Sequence, residues 1–178
     1  DGDPLGNFCT VANPAGLAFR PLQTRAALSG DLFVASASSH NVQQFDGETG
    51  ESLGVFCSVS NPGDLIFGPD GDLFVLSLSQ HQVMRHDGQT GDLLGAFCFI
   101  ANPSGLAFQP LKTRGSALGD LFACSASSHE VQRFDGETGE AMGAFCSVAN
   151  PRGLAFGTSG DLFVASGSSH QILRFDAW

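Results

Sequence analysis

The side chains best suited to chemistry are histidines at a regular interval. His40, His81, His129 and His170 follow Ser39, Gln80, Ser128 and Ser169, at spacings of 81 − 40 = 41, 129 − 81 = 48 and 170 − 129 = 41. Three or four imidazoles brought together from separate segments can hold Zn²⁺ or another divalent ion. These four are therefore the candidate metal ligands, and a divalent metal the only cofactor the sequence suggests. The competing role is structural. A side chain repeated in every copy of a unit is one that builds the unit, here by bonding the backbone of its own turn, whereas metal sites usually break symmetry. The fifth histidine, His86, does break it, standing where the other copies carry Phe45, Phe134 and Phe175. It reads as a polar replacement at an outer strand position, of a type that titrates near neutral pH.

No carboxylates are paired by motif for acid–base work, so no catalytic residue is assigned. Asp31, Asp72, Asp120 and Asp161, with Asp46, Asp87 and Asp135, fall in turn-like stretches where Asp is favoured for local reasons. Of the five cysteines, Cys9, Cys57, Cys98 and Cys146 occupy equivalent positions in different copies, too far apart for intrachain disulfides. Cys124 reads as a small buried hydrophobe. There is no CxxC pair. Free thiols favour a cytoplasmic setting. Half of the eight cations lie in two short insertions, as Arg20, Arg25, Lys112 and Arg114. In a chain with 18 Asp+Glu and a net charge of −10, these form two basic tips, the candidate binding residues for an acidic protein ligand. The acidic balance argues against a nucleic-acid partner. No apolar run approaches the ~20 residues of a membrane helix, and no leader-like stretch opens the chain, so neither a membrane partner nor a signal peptide is expected.

What must position these side chains is a repeat. GDLF begins at Gly30, Gly71, Gly119 and Gly160, with spacings 71 − 30 = 41, 119 − 71 = 48 and 160 − 119 = 41. Asn-Pro pairs at Asn13, Asn61, Asn102 and Asn150, and Phe-Cys pairs ending at Cys9, Cys57, Cys98 and Cys146, keep the same phase. The seven-residue insertions enter only the first and third copies, so the larger period is 41 + 48 = 89, half of 178. Such halves fit a slice of a longer array or an engineered duplication.

Each copy reads as four strands, illustrated by Asp64 to Phe67, Leu73 to Ser77, Gln82 to His86 and Leu93 to Phe97, each bounded by Gly, Pro, Asn or Asp. Four-stranded antiparallel units of about 41 residues stack radially, so residues 1–178 are expected to form a single all-β domain, a β-propeller with four blades. The blades run over about 14–57, 62–98, 103–146 and 151–176, the last completed by an outer strand at 3–9.

The stretch from Gly71 to Pro103, GDLFVLSLSQHQVMRHDGQTGDLLGAFCFIANP, followed by SGLAF, resembles the repeats of NHL-type and gluconolactonase-like propellers. It shares their G-[DN]-L-[FY]-V strand, their x-H-x-V-x-R-[FY]-D strand and the N-P-x-G-L-A-F opening of the next blade. The resemblance implies the propeller fold, and it implies two classes of activity. Some relatives are binding or scaffold modules; others, metal-dependent hydrolases and lyases, hold an ion near the axis, with Glu, Asn and Asp in the gluconolactonase-like enzymes. The unrepeated acids on the histidine side are Asp64 and Glu130, with Asn41, Asn61 and Asn102 nearest, and their spacing does not reproduce that pattern. The reading is a scaffold without catalysis; the alternative is the metal-dependent enzyme. The resemblance also allows an extracellular setting.

The leading strand leaves closure open. It can complete the fourth blade of its own chain, or that of a partner, giving an eight-bladed dimer, or it can propagate a head-to-tail filament. The chain's first expected partner is itself.

Overall fold

The computed structural model describes residues 2–21, 30–110 and 118–177. Among these, all regular structure is β. The first blade comprises β1 (Pro14–Phe19), β2 (Leu32–Ser36), β3 (Asn41–Phe45) and β4 (Ser52–Ser58), hydrogen-bonded in that order. The second comprises β5 (Pro62–Phe67), β6 (Leu73–Ser77), β7 (Gln82–His86) and β8 (Leu93–Phe99). The third comprises β9 (Pro103–Phe108), β10 (Leu121–Ser125), β11 (Glu130–Phe134) and β12 (Ala141–Ser147). The fourth contains β13 (Pro151–Phe156), β14 (Leu162–Ser166) and β15 (Gln171–Phe175). All pairings are antiparallel.

The continuous apolar runs behave as expected of strands covered on both faces. β2, β6 and β10 are buried at every residue. Each supplies a phenylalanine that locks two blades together. Phe33 meets Phe56 of its own blade and Phe67 of the next edge to face, at 4.8 and 5.1 Å between ring centroids. Phe74 meets Phe97 and Phe108, both at 4.9 Å, and Phe122 meets Phe145 and Phe156 at 5.0 and 5.1 Å. Such T-shaped pairs satisfy the ring quadrupole without any hydroxyl.

The turns explain the repeated Asp and Gly. Asp46 Oδ1 accepts hydrogen bonds from the Glu48 and Thr49 amides at 3.0 and 2.8 Å, and Gly50 follows with φ +74°. Asp87 and Asp135 repeat the pattern. These bonds favour the ionised form and hold all three carboxyls below the usual range. Glycine is required at the end of this turn, because a Cβ on Gly50 would fall 2.1 Å from the carbonyl oxygen of Phe8.

The fourth blade departs from the expected count. Its sheet has three strands among the described residues, and residues 3–9, expected as a strand, form no ladder with β15. Completion of the fourth blade within one chain is therefore not what the chain adopts. Cys9 and Val11 pack instead against Leu32, Val34 and Phe45, on the face of the first blade. The inner strands give the geometric reason. Gly16 backs onto Gly63 and Asp64, and Gly105 onto Arg152 and Gly153, whereas no atom of the described residues stands within 4 Å of a Cβ placed on Gly153.

Candidate functional site

The four repeated histidines sit in the turns between the second and third strands of each blade, with left-handed backbones at φ +55° to +58°. The ring of His40 accepts a hydrogen bond at Nδ1 from the amide of Asn61, at 2.9 Å. His81 does the same for Asn102 at 3.1 Å, and His129 for Asn150 at 3.0 Å. The main-chain carbonyls of these three histidines also accept from Val59, Ile100 and Val148. Each histidine thus bolts the exit of its blade's outer strand and the Asn-Pro loop that opens the next. An imidazole whose Nδ1 accepts an amide proton carries its own proton on Nε2, so neither ring nitrogen offers a lone pair to a metal while that bond holds. Among the described residues no three His, Cys, Asp or Glu side chains come together as a group that could hold a metal ion.

The inner strands line an open cleft of about 470 Å³ to which every blade contributes: Ala15 from the first, Asp64 from the second, Ser104 from the third and Arg152 from the fourth. The Asp64 carboxylate accepts from the Leu65 amide and, across the blade boundary, from the Leu106 amide, both at 3.0 Å. Burial pushes its pKa up despite these bonds. Ser104 Oγ donates to the carbonyl of Pro151 at 2.7 Å. Ser104 and Arg152 escaped notice in the sequence, yet a signal was there. The residue after each Asn-Pro is Ala15, Gly63, Ser104 or Arg152, a position that varies within an otherwise repeated string. Glu130 lies away from this mouth, opening β11 opposite Ser147.

Of the basic tips, Arg25, Lys112 and Arg114 lie outside the described residues. Arg20 folds back onto its own blade, its Nη1 3.8 Å from Asp31 and its guanidinium carbon 4.7 Å from the Phe33 ring centroid. It takes the place that a third-strand arginine fills elsewhere: Arg85 pairs with Asp72 at 2.7 Å, Arg133 with Asp120 and Arg174 with Asp161, while the first blade has Gln44.

The five cysteines are free thiols. Burial pushes Cys57, Cys98 and Cys124 up to about 12 and Cys146 to about 11. These four are poor nucleophiles. His86 is buried, with Nδ1 3.0 Å from the Gly91 carbonyl oxygen and Nε2 without a partner.

Repeated antiparallel sheets packed through their inner strands define a β-propeller. No family model and no curated protein matches the sequence. Similar solved structures are propellers. An auxiliary nutrient binding protein from Bacteroides ovatus matches with a TM-score of 0.77 at 14% identity, over 95% of this chain and 49% of that one. A virginiamycin B lyase from Staphylococcus aureus matches with a TM-score of 0.62 at 12% identity, over 93% and 56%. The computationally designed Ika4 protein matches with a TM-score of 0.64 at 14% identity, over 96% and 97%. The chain spans about half the length of the nutrient binding protein and the lyase.

Proposed function

We propose that this chain is an NHL-type propeller that works as a self-assembling scaffold, without catalysis of its own. The observation that carries the reading is an unpaid debt of burial on the first blade. Leu17 of β1 is 64% exposed, whereas its counterparts Leu65 and Leu106 are 3% and 5% exposed because a preceding blade covers them. A folded chain that leaves the covering side of its own repeat bare has the surface for joining another repeat. The repeated polar groups support a structural role: three of the four histidines and the four aspartates that directly precede the second strand of each blade are engaged within or between blades. A rigid ring then displays its loops, and the two basic insertions are where a protein ligand of acidic surface would dock.

Solution mass tests the reading. The 178-residue chain weighs 18.5 kDa. Sedimentation at micromolar concentration should return a species of 2 × 18.5 = 37 kDa or a larger multiple. A single species of 18.5 kDa across that range would refute it.

A further inference from the structure

Resting on the self-assembly reading, we infer that two copies join head to tail at both ends, the N-terminal segment of each completing the fourth blade of the other, to close a ring of eight blades. The fourth blade has an open edge and an open face. Ile172 of β15 is 67% exposed, whereas Val42, Val83 and Val131 at the same position are fully buried under an outer strand. Residues 4–10 align with the outer strands of the other copies and form no ladder. Gly6 has φ +116°, matching Gly54, Gly95 and Gly143 at +105°, +136° and +98° in β4, β8 and β12.

The same vacancy appears in the aromatic locks. Phe163 is the fourth-blade counterpart of Phe33, Phe74 and Phe122, each of which meets one ring from its own outer strand and one from the next blade. The counterparts of those two rings are Phe8 and Phe19, which are 44% and 53% exposed. The histidine bolts agree. His40, His81 and His129 each take two amides, and the corresponding donors for His170 are Val11 and Asn13, which make no such bond among the described residues. Edge, rings and bolt are all supplied by residues 4–19 of a second copy.

Two copies suffice. The joint is heterologous, so it either closes by rotation or runs on as a filament. The chain overlays 49% of the nutrient binding protein, and eight blades lie within the usual range for propellers. The repeat fixes the register. Val42 stands opposite Cys57, Val83 opposite Cys98 and Val131 opposite Cys146, which places Ile172 opposite the partner's Cys9.

Directly opposed strand residues have Cα atoms about 5 Å apart, within reach of a disulfide. The test is Ile172→Cys in the full chain, with native Cys9, under mild oxidation and non-reducing electrophoresis. The expected product is a covalent dimer with no larger species, abolished by Cys9→Ser. The pair Gln171→Cys and Thr10→Cys, one step along the same register, gives the same readout if Ile172→Cys impairs folding. A ladder of trimers and higher species would overturn closure, and an internal cross-link at monomer mass would overturn exchange. A dimer by sedimentation that neither pair cross-links would overturn this joint while leaving self-assembly standing. A monomer by sedimentation would overturn both.

Discussion

His86 shows what one departure from the repeat costs. It sits at the site of Phe45 and Phe134, and it is 2% exposed. Its Nδ1 faces the Gly91 carbonyl oxygen and so carries the proton, leaving the Nε2 lone pair buried and unmatched. Leaving a buried acceptor unsatisfied costs about 1–3 kcal/mol, and an apolar ring of similar shape has no such cost. His86→Phe is therefore expected to stabilise the fold by about 1–2 kcal/mol, read by urea denaturation. A pH signature accompanies it. Burial lowers the His86 pKa below 6.5, so the unfolded chain takes up the proton first. Stability from this group is complete above pH 6.5 and declines as pH falls through the window below it. The variant's advantage should accordingly widen between pH 7.5 and 5.5; an unchanged or narrowing difference would refute the assignment. The sequence revealed that His86 was odd but placed it at an outer position, because whether a strand end is wet depends on the neighbouring blade.

Among the elements, strand identity and pairing within a blade were legible, whereas some strand limits and the partner of the leading segment were not. β6 and β7 have the limits that their apolar runs and turn residues suggest, while β5 begins two residues earlier at Pro62 and β8 ends two later at Phe99. Ladder bonds carried both strands past the apolar pattern, as the pairs Pro62 with Ser77 and Phe99 with Gln82 show. Residues 3–9 have the pattern of an outer strand and, at Gly6, its backbone, yet form none, since a strand exists only beside another. The histidine turns could be placed from sequence, but not what the rings bond, because Asn61, Asn102 and Asn150 are each 21 residues downstream. That bond makes a separable prediction. His81 has φ +57° and accepts from Asn102. His81→Ala loses the bond and keeps a Cβ in the left-handed region, which costs about 1–2 kcal/mol. His81→Gly loses the same bond without that strain. Thermal or urea unfolding should rank wild type above Gly and Gly above Ala; Ala equal to or above Gly would mean the turn relaxes.

At the scale of the whole molecule, stability in a repeat array is a sum over blades and the interfaces between them. The second and third blades have a neighbour on each side, through Phe67 and Phe74 and through Phe108 and Phe122. The fourth has one, and β14 is only partly buried where β2, β6 and β10 are buried throughout. An isolated chain should therefore open from its fourth blade, with fast hydrogen exchange in β14 and β15 and slow exchange in β6 and β10. Association covers the exposed edge, so its free energy is added where protection is lowest, and mass action makes that gain depend on concentration. Diluting the protein from high to low micromolar should selectively release the β14 and β15 amides, and the melting temperature should fall with dilution. Protection in β6 and β10 should change least, because their local neighbours are fixed within the chain. Exchange in β14 and β15 that is as slow as in β6 at every concentration would show that the fourth blade is covered within its own chain, and the open-edge account of this propeller would fail.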